Sequence, residues 1–166
     1  VIFPLEQFMP TLHDGNTYFQ KALAHYKAVI EAGAPIDALG WQAHFYTQKS
    51  TFQSGNNMAG PDTFRMKEIE KGMDRLAELG LPIHITEFNP PSRDTKNKNP
   101  DQARLSDEEV AEWTVNFYTL AFSKPYIREI TRWFLNDTIG GRGIDAGLVT
   151  LEGERKPSYY ALRKLL

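Results

Sequence analysis

The segment Ala77-Glu78-Leu79-Gly80-Leu81-Pro82-Ile83-His84-Ile85-Thr86-Glu87 changes its period partway along. Upstream, Ile69, Met73, Leu76 and Ala77 recur at helical spacing, and Gly80 stands where a helix C-terminus takes a left-handed residue. Downstream of Pro82 an apolar run of strand length begins, and it ends on a carboxylate. A helix is therefore expected over about 62–79 and a buried strand over 81–86. The same punctuation recurs on both sides. Gly33-Ala34-Pro35-Ile36 stops a helix over about 16–32 (Phe19, Leu23, Tyr26 and Ile30 on one face) before a strand over 36–43, and Lys124-Pro125-Tyr126-Ile127 precedes a strand over 127–135.

Two further helices complete the pattern. Ser106 and Glu109 have capping-box spacing ahead of Val110, Trp113, Phe117, Leu120 and Ala121, and Pro157, a favoured first-turn residue, opens a helix to 166. With a candidate strand at 1–5, the order is four βα units, which specifies a parallel sheet with helical crossovers. Open doubly wound sheets place a Gly-rich turn after a strand, and no G-x-G-x-x-G or Walker pattern occurs in any of these loops. Instead the segments after the strands are long, at about 45–61, 88–105 and 136–146. In a closed barrel such loops form the face that carries the active site. The expected fold is α/β of the (β/α)8 TIM-barrel type, with about four βα units present. The chain opens on Val1-Ile2-Phe3 with no initiator Met, which reads as a break in a longer protein.

Composition excludes several classes. At 166 residues and 41% hydrophobic the chain can bury an ordinary core, while a formal charge of −2 without a Lys/Arg cluster points to neither nucleic acid nor an anionic membrane. No run reaches the roughly 20 apolar residues of a membrane span. With no Cys, disulfides, thiolate catalysis and Cys-based metal sites are out, and His13, His25 and His84 show neither ligand spacing nor an acidic cluster. No metal or cofactor is expected.

Three motifs fall at the ends of three successive strands. In His84-Ile85-Thr86-Glu87-Phe88-Asn89, alternation puts Glu87 and Asn89 on one side, with His84 facing the opposite side or out of the sheet, and a carboxylate at the C-terminal end of a barrel strand reads as catalytic. A salt-bridged or loop-capping Glu is the competing reading. In Gly40-Trp41-Gln42-Ala43-His44-Phe45, Gln42 and His44 share a face. There they can hydrogen-bond a carboxylate or a sugar hydroxyl, or be satisfied structural residues. In Trp133-Phe134-Leu135-Asn136-Asp137, Trp133 can be a floor for a pyranose ring or a core residue, whereas Trp113 lies on a helix stripe and is assigned to packing. Their convergence on one edge of one sheet favours a site.

Taken in order, Gln42-Ala43-His44, Thr86-Glu87, Trp133 with Asp137, and Lys156-Pro157-Ser158-Tyr159-Tyr160-Ala161-Leu162 resemble the second half of family 10 glycoside hydrolases over about 34–166. The resemblance implies the C-terminal half, over 1–166, of a retaining endo-β-1,4-xylanase catalytic domain. In it Glu87 is the nucleophile, Gln42 and His44 lie around that carboxylate, Trp133 lies under the sugar, and Gln42, His44, Asn89 and Trp133 are the substrate-binding residues. It also implies secretion, xylan or xylo-oligosaccharides as substrate, and the missing N-terminal half of the barrel as partner. In the family the acid/base Glu follows an Asn at the end of the fourth strand. No Asn-Glu pair occurs here, so its place is upstream of Val1, and Glu6, preceded by Leu5, is a poor substitute. Asn89 stands where most members carry Asp, and the segment Thr138-Ile139-Gly140-Gly141-Arg142-Gly143 lacks a second Trp typical of the family. Two alternatives stay open: another barrel glycosidase acting on mannan, β-glucan or galactan, and a carbohydrate-binding barrel without chemistry.

Overall fold

The computed structural model describes residues 2–5, 17–46, 66–92, 105–137 and 145–166. The elements, in order, are β1 (Ile2–Leu5), α1 (Thr17–Glu31), β2 (Ala38–Trp41), β3 (His44–Tyr46), α2 (Met66–Ala77), β4 (Ile83–Ser92), α3 (Asp107–Phe122), β5 (Ile127–Arg132) and α4 (Pro157–Leu165). All strand pairings are parallel. β1 lies beside β2, β2 beside β4 and β4 beside β5, while β3 continues the line of β2 along the far end of β4.

The helices follow from the signals in the sequence. Ser106 Oγ accepts from the Glu109 amide at 3.1 Å and the Glu109 carboxylate accepts from the Ser106 amide at 2.6 Å, closing the capping box of α3. Gly33 and Gly80, at φ 78° and 76°, turn the chain out of α1 and α2 in a conformation that L side chains avoid. Among the described residues no helix is long and apolar enough to cross a membrane.

The strands differ from the sequence reading in three places, each with a physical reason. The strand expected over 36–43 is interrupted at Gln42 and Ala43 because Ala43 adopts φ 41°, and pairing resumes only at His44. The strand expected to end at 86 runs on to Ser92, since Pro90 and Pro91 hold an extended backbone and β3 lies alongside. β5 stops at Arg132, three residues early, where the chain turns away after the Trp133 amide donates to the Phe88 carbonyl at 2.9 Å. The starts of the first two expected helices, Glu6, His13 and the segment 138–144 lie outside the described residues.

One face of the sheet is packed beneath helices. Leu39, Trp41, Phe45, Ile83, Ile85 and Phe88 are buried with Phe19 and Tyr26 of α1, Ile69, Met73 and Leu76 of α2, and Phe117 and Tyr118 of α3. Phe88 stacks on Phe117 at 4.4 Å between ring centroids, and Trp113 extends the stack, as assigned. Truncating a fully buried Phe of this kind costs about 3–5 kcal/mol. Ile83, Ile85 and Phe88 cannot share a face by simple alternation. The pairing of β4 with β5 shifts register between Ile85 and Phe88, and that slip places Phe88 under the helices and Glu87 on the opposite face.

At the other end of the sheet Lys124, just past α3, binds Glu70 at 2.7 Å and Asp74 at 3.0 Å on α2, and Tyr126 donates to Asp74. The Tyr126 hydrogen bond, with help from Lys124, holds the Asp74 carboxyl below its usual value of 3.8. The Glu70 hydrogen bond in turn leads the raising of Lys124 above 10.5. A depressed carboxylate contributes stability above its ordinary pKa and loses it as pH falls; a raised amine contributes below its ordinary pKa and loses it as pH rises. Lys124→Met is therefore expected to lower the melting temperature between about pH 4 and 10, and to lose its difference from wild type toward either extreme. A melting curve shifted equally at all pH values would contradict this account.

Candidate active site

Glu87 lies on β4 with both carboxylate oxygens taken by the neighbouring strand line. Gln42 Nε2 donates to Oε1 at 3.1 Å, and His44 Nε2 meets Oε2 at 3.0 Å. These two donors flank the left-handed Ala43, whose carbonyl accepts the Asn89 amide at 3.1 Å. In parallel register His44 pairs with Asn89, which is 1% exposed. The short break between β2 and β3 thus seats two side chains against one carboxylate.

His44 is buried, and desolvation pulls its pKa below 6.5 against the opposing pull of Glu87. The neutral ring is then the form at neutral pH. Because Oε2 of a carboxylate only accepts, the proton of that ring sits on Nε2 and is donated to Glu87. Trp133 packs edge-on against His44, ring centroids 5.8 Å apart, and is 47% exposed, so it is neither a core residue nor remote from the carboxylate. The structure therefore brings Gln42, His44, Glu87, Asn89 and Trp133 to one edge of one sheet. His84 is the exception to the simple alternation: because of the slip in β4 it lies on the same helix-free face as Glu87, lower down, where Nδ1 meets Glu129 Oε2 at 3.0 Å.

Behind Trp133 lies a polar cluster that the motifs only partly indicated. Lys156 bonds Asp137 at 3.2 Å and also Asp145, and the Gly147 amide donates to Asp137 Oδ1 at 2.8 Å. Burial pushes the Asp137 carboxyl up, and Lys156 pulls it down by less. A Cβ at Gly147 would meet the Asp137 amide nitrogen at 2.3 Å, so only glycine fits beside this turn. Arg132, whose guanidinium donates to the Phe134 and Ala146 carbonyls, was missed by sequence reasoning, which read 127–135 as one apolar run. Among the described residues no group of three or more acidic or histidine side chains is placed to hold a metal ion.

A parallel βα sheet with a hydrogen-bonded carboxylate and an open Trp at its C-terminal edge is built like the active-site face of a βα-barrel protein. Residues 12–165 match the model of glycosyl hydrolase family 10, and the chain belongs to that family. Endo-1,4-beta-xylanase B of Thermotoga neapolitana is 26% identical over 146 residues, which are 84% of this chain and 37% of that protein. The anti-sigma-I factor RsgI6 of Acetivibrio thermocellus is 30% identical over 117 residues, 70% of this chain and 12% of that protein. The structure of xylanase 10B from Thermotoga petrophila RKU-1 in complex with xylobiose superposes with a TM-score of 0.69 at 19% identity, covering 99% of this chain and 45% of that one. The fold is accordingly of the (β/α)8 barrel type, four βα units lie among the described residues, and the chain spans less than half the length of these relatives.

The geometry around His44 has a direct test. Glu87 raises the His44 pKa while burial lowers it, so an imidazole NMR titration is expected to place His44 below 6.5, and lower still in Glu87→Gln. A His44 midpoint that rises in the variant would overturn the assigned contact.

Proposed function

We propose that this chain is the C-terminal half of the catalytic domain of a retaining, secreted endo-β-1,4-xylanase, with Glu87 as nucleophile. The observation that carries the reading is the double hydrogen bond from Gln42 and His44 to Glu87 at the C-terminal edge of the sheet, beside Trp133. A carboxylate with both oxygens held has its plane fixed, which is what in-line attack on an anomeric carbon needs. In the first step a Glu87 oxygen forms a bond to that carbon as the glycosidic bond breaks, and the leaving oxygen takes a proton from a second carboxyl group. In the second step water gives a proton to that second carboxylate and displaces the Glu87 carboxylate from the carbon, restoring the anomeric configuration. Trp133 offers an indole face to the sugar ring, and Asn89 keeps a neutral side chain next to His44.

Retaining hydrolysis needs the second carboxyl about 5–5.5 Å from the first. The sequence holds no Asn-Glu pair, so the acid is assigned to the upstream half of the barrel, together with part of the sugar-binding wall. Xylan or xylo-oligosaccharide is the proposed substrate because relatives are named as xylanases and one similar structure is described as a complex with xylobiose. A second reading, in which the barrel recognises a polysaccharide without cutting it, is favoured by one observation: a 30%-identical relative is named as an anti-sigma factor.

The chain by itself is expected not to hydrolyse xylan, whereas the full-length protein should, since general acid help alone is commonly worth about 10²–10⁴ in rate. A fluorinated aryl xylobioside, whose good leaving group lessens the need for an acid, should label the full-length protein on the peptide containing Thr86-Glu87-Phe88. Glu87→Gln should abolish that label. Labelling elsewhere refutes the nucleophile, and xylan binding without turnover by the full-length protein favours the recognition reading. Cleavage of mannan, β-glucan or galactan in preference to xylan would replace the substrate but keep the class.

A further inference from the structure

Arg132 is the least expected residue of the sheet: a cation at the end of β5 that faces the helices rather than water. Its register partner is Phe88, the residue after Glu87, and its guanidinium lies 5.7 Å from the centre of the Phe88 ring. Nε donates to the Phe134 carbonyl at 3.3 Å, directly after Trp133, and Nη2 donates to the Ala146 carbonyl at 2.6 Å, where the described chain resumes on its way to α4. Burial pulls its pKa down to about 10, with Tyr118 of α3 and Asp137 opposing, so it is charged at neutral pH.

Even a half-buried cation carries a desolvation cost, and its ring neighbour Phe88 belongs to the hydrophobic core. An Ile or Met would fill the space more simply if packing were its only task. What Arg adds is a planar fork that reaches two carbonyls at once while lying over a ring. Two of those three contacts belong to the segments that carry the proposed chemistry, Phe88 following the carboxylate and Phe134 following the indole, and the third ties them to Ala146. The Trp133 amide, donating to the Phe88 carbonyl, ties the same two segments by backbone.

We propose that Arg132 is a positioning residue that locks the strand end bearing Glu87 and the turn bearing Trp133 into one rigid unit, so that nucleophile and sugar platform keep a fixed spacing. This rests on the reading of Glu87 and Trp133 given above. Arg132 touches neither substrate nor reacting atoms; it acts through Phe88 and through the two carbonyls. If the fork is lost, Trp133 and Glu87 can move relative to each other. Displacements of about 1 Å at a reacting centre cost up to roughly 10² in rate.

The test uses the full-length protein with Arg132→Lys and Arg132→Met, and the fluorinated aryl xylobioside and xylobiose as probes. Lys keeps the charge but lacks the planar fork that reaches both carbonyls while lying over the Phe88 ring; Met has neither charge nor donor. Rates are taken per folded molecule, with the folded fraction read from the melting curve well below the transition. Arg132→Lys is expected to slow labelling of Glu87 and to weaken xylobiose binding by about tenfold each, and Arg132→Met by more. A lowered melting temperature with labelling and binding within about twofold of wild type would overturn the proposal, as would unchanged behaviour throughout. If Arg132→Met does not fold, Arg132→Lys decides alone. Label that persists in Glu87→Gln would instead defeat the underlying nucleophile assignment, so the two failures are distinguishable.

Discussion

A parallel sheet with helices against one face must send alternate side chains to opposite environments, and a slip of one residue reverses that choice for everything beyond it. In this chain the slip falls between Ile85 and Phe88. Below it Ile83 and Ile85 lie under the helices; above it Phe88 does, against Phe117 and Trp113. Glu87 is thereby delivered to the open face beside Gln42 and His44. Without the slip, strict alternation would continue Ile83 and Ile85 into Glu87 and bury a carboxylate among aromatic rings, at a cost of several kcal/mol. The aromatic stack and the carboxylate's exposure are two results of one irregularity.

A second irregularity answers the first from the neighbouring strand. Ala43 at φ 41° costs backbone energy, on the order of 1–3 kcal/mol for a non-glycine in that region. It sits between the two donors that hold Glu87, and its own carbonyl remains paired to the Asn89 amide. The strain is tolerated because the site is over-determined on both sides: Trp41 and Phe45 anchor the outer face, and Gln42 and His44 anchor the inner one. Local strain held by packing is a usual accompaniment of a functional arrangement.

Much of this was legible in the sequence because it rests on short-range chemistry. Gly33, Gly80, the Ser106 capping box and Pro157 set helix ends through local hydrogen bonding and backbone freedom, and the convergence of Gln42, His44, Glu87 and Trp133 follows once each is placed at a strand end. What escaped depends on registry between strands distant in sequence. His84 was read as opposite Glu87 because alternation was counted without the slip. Arg132 was absorbed into an apolar run because nothing local shows that its fork meets carbonyls of residues 134 and 146. The extension of β4 through two prolines likewise needs β3 as a neighbour, which sequence alone does not supply.

The face away from the helices carries the remaining argument. Parallel sheets are ordinarily covered on both faces. Here the helix-free face presents His84 paired with Glu129, Thr131 donating to the same carboxylate at 2.8 Å, and above them Glu87 and the half-open Trp133. In the lower group both Glu129 oxygens already accept a hydrogen bond, which lowers the cost of enclosing it. The upper group keeps a carboxylate and an indole accessible. On the proposed function, a barrel closed by further βα units would enclose the first layer, leave the second at its mouth, and bring the acid that Glu87 needs as nucleophile. Under the proposed function, folding and catalysis place one demand on the other half of the barrel: strands that cover the His84–Glu129 layer and end in a carboxylic acid across from Glu87.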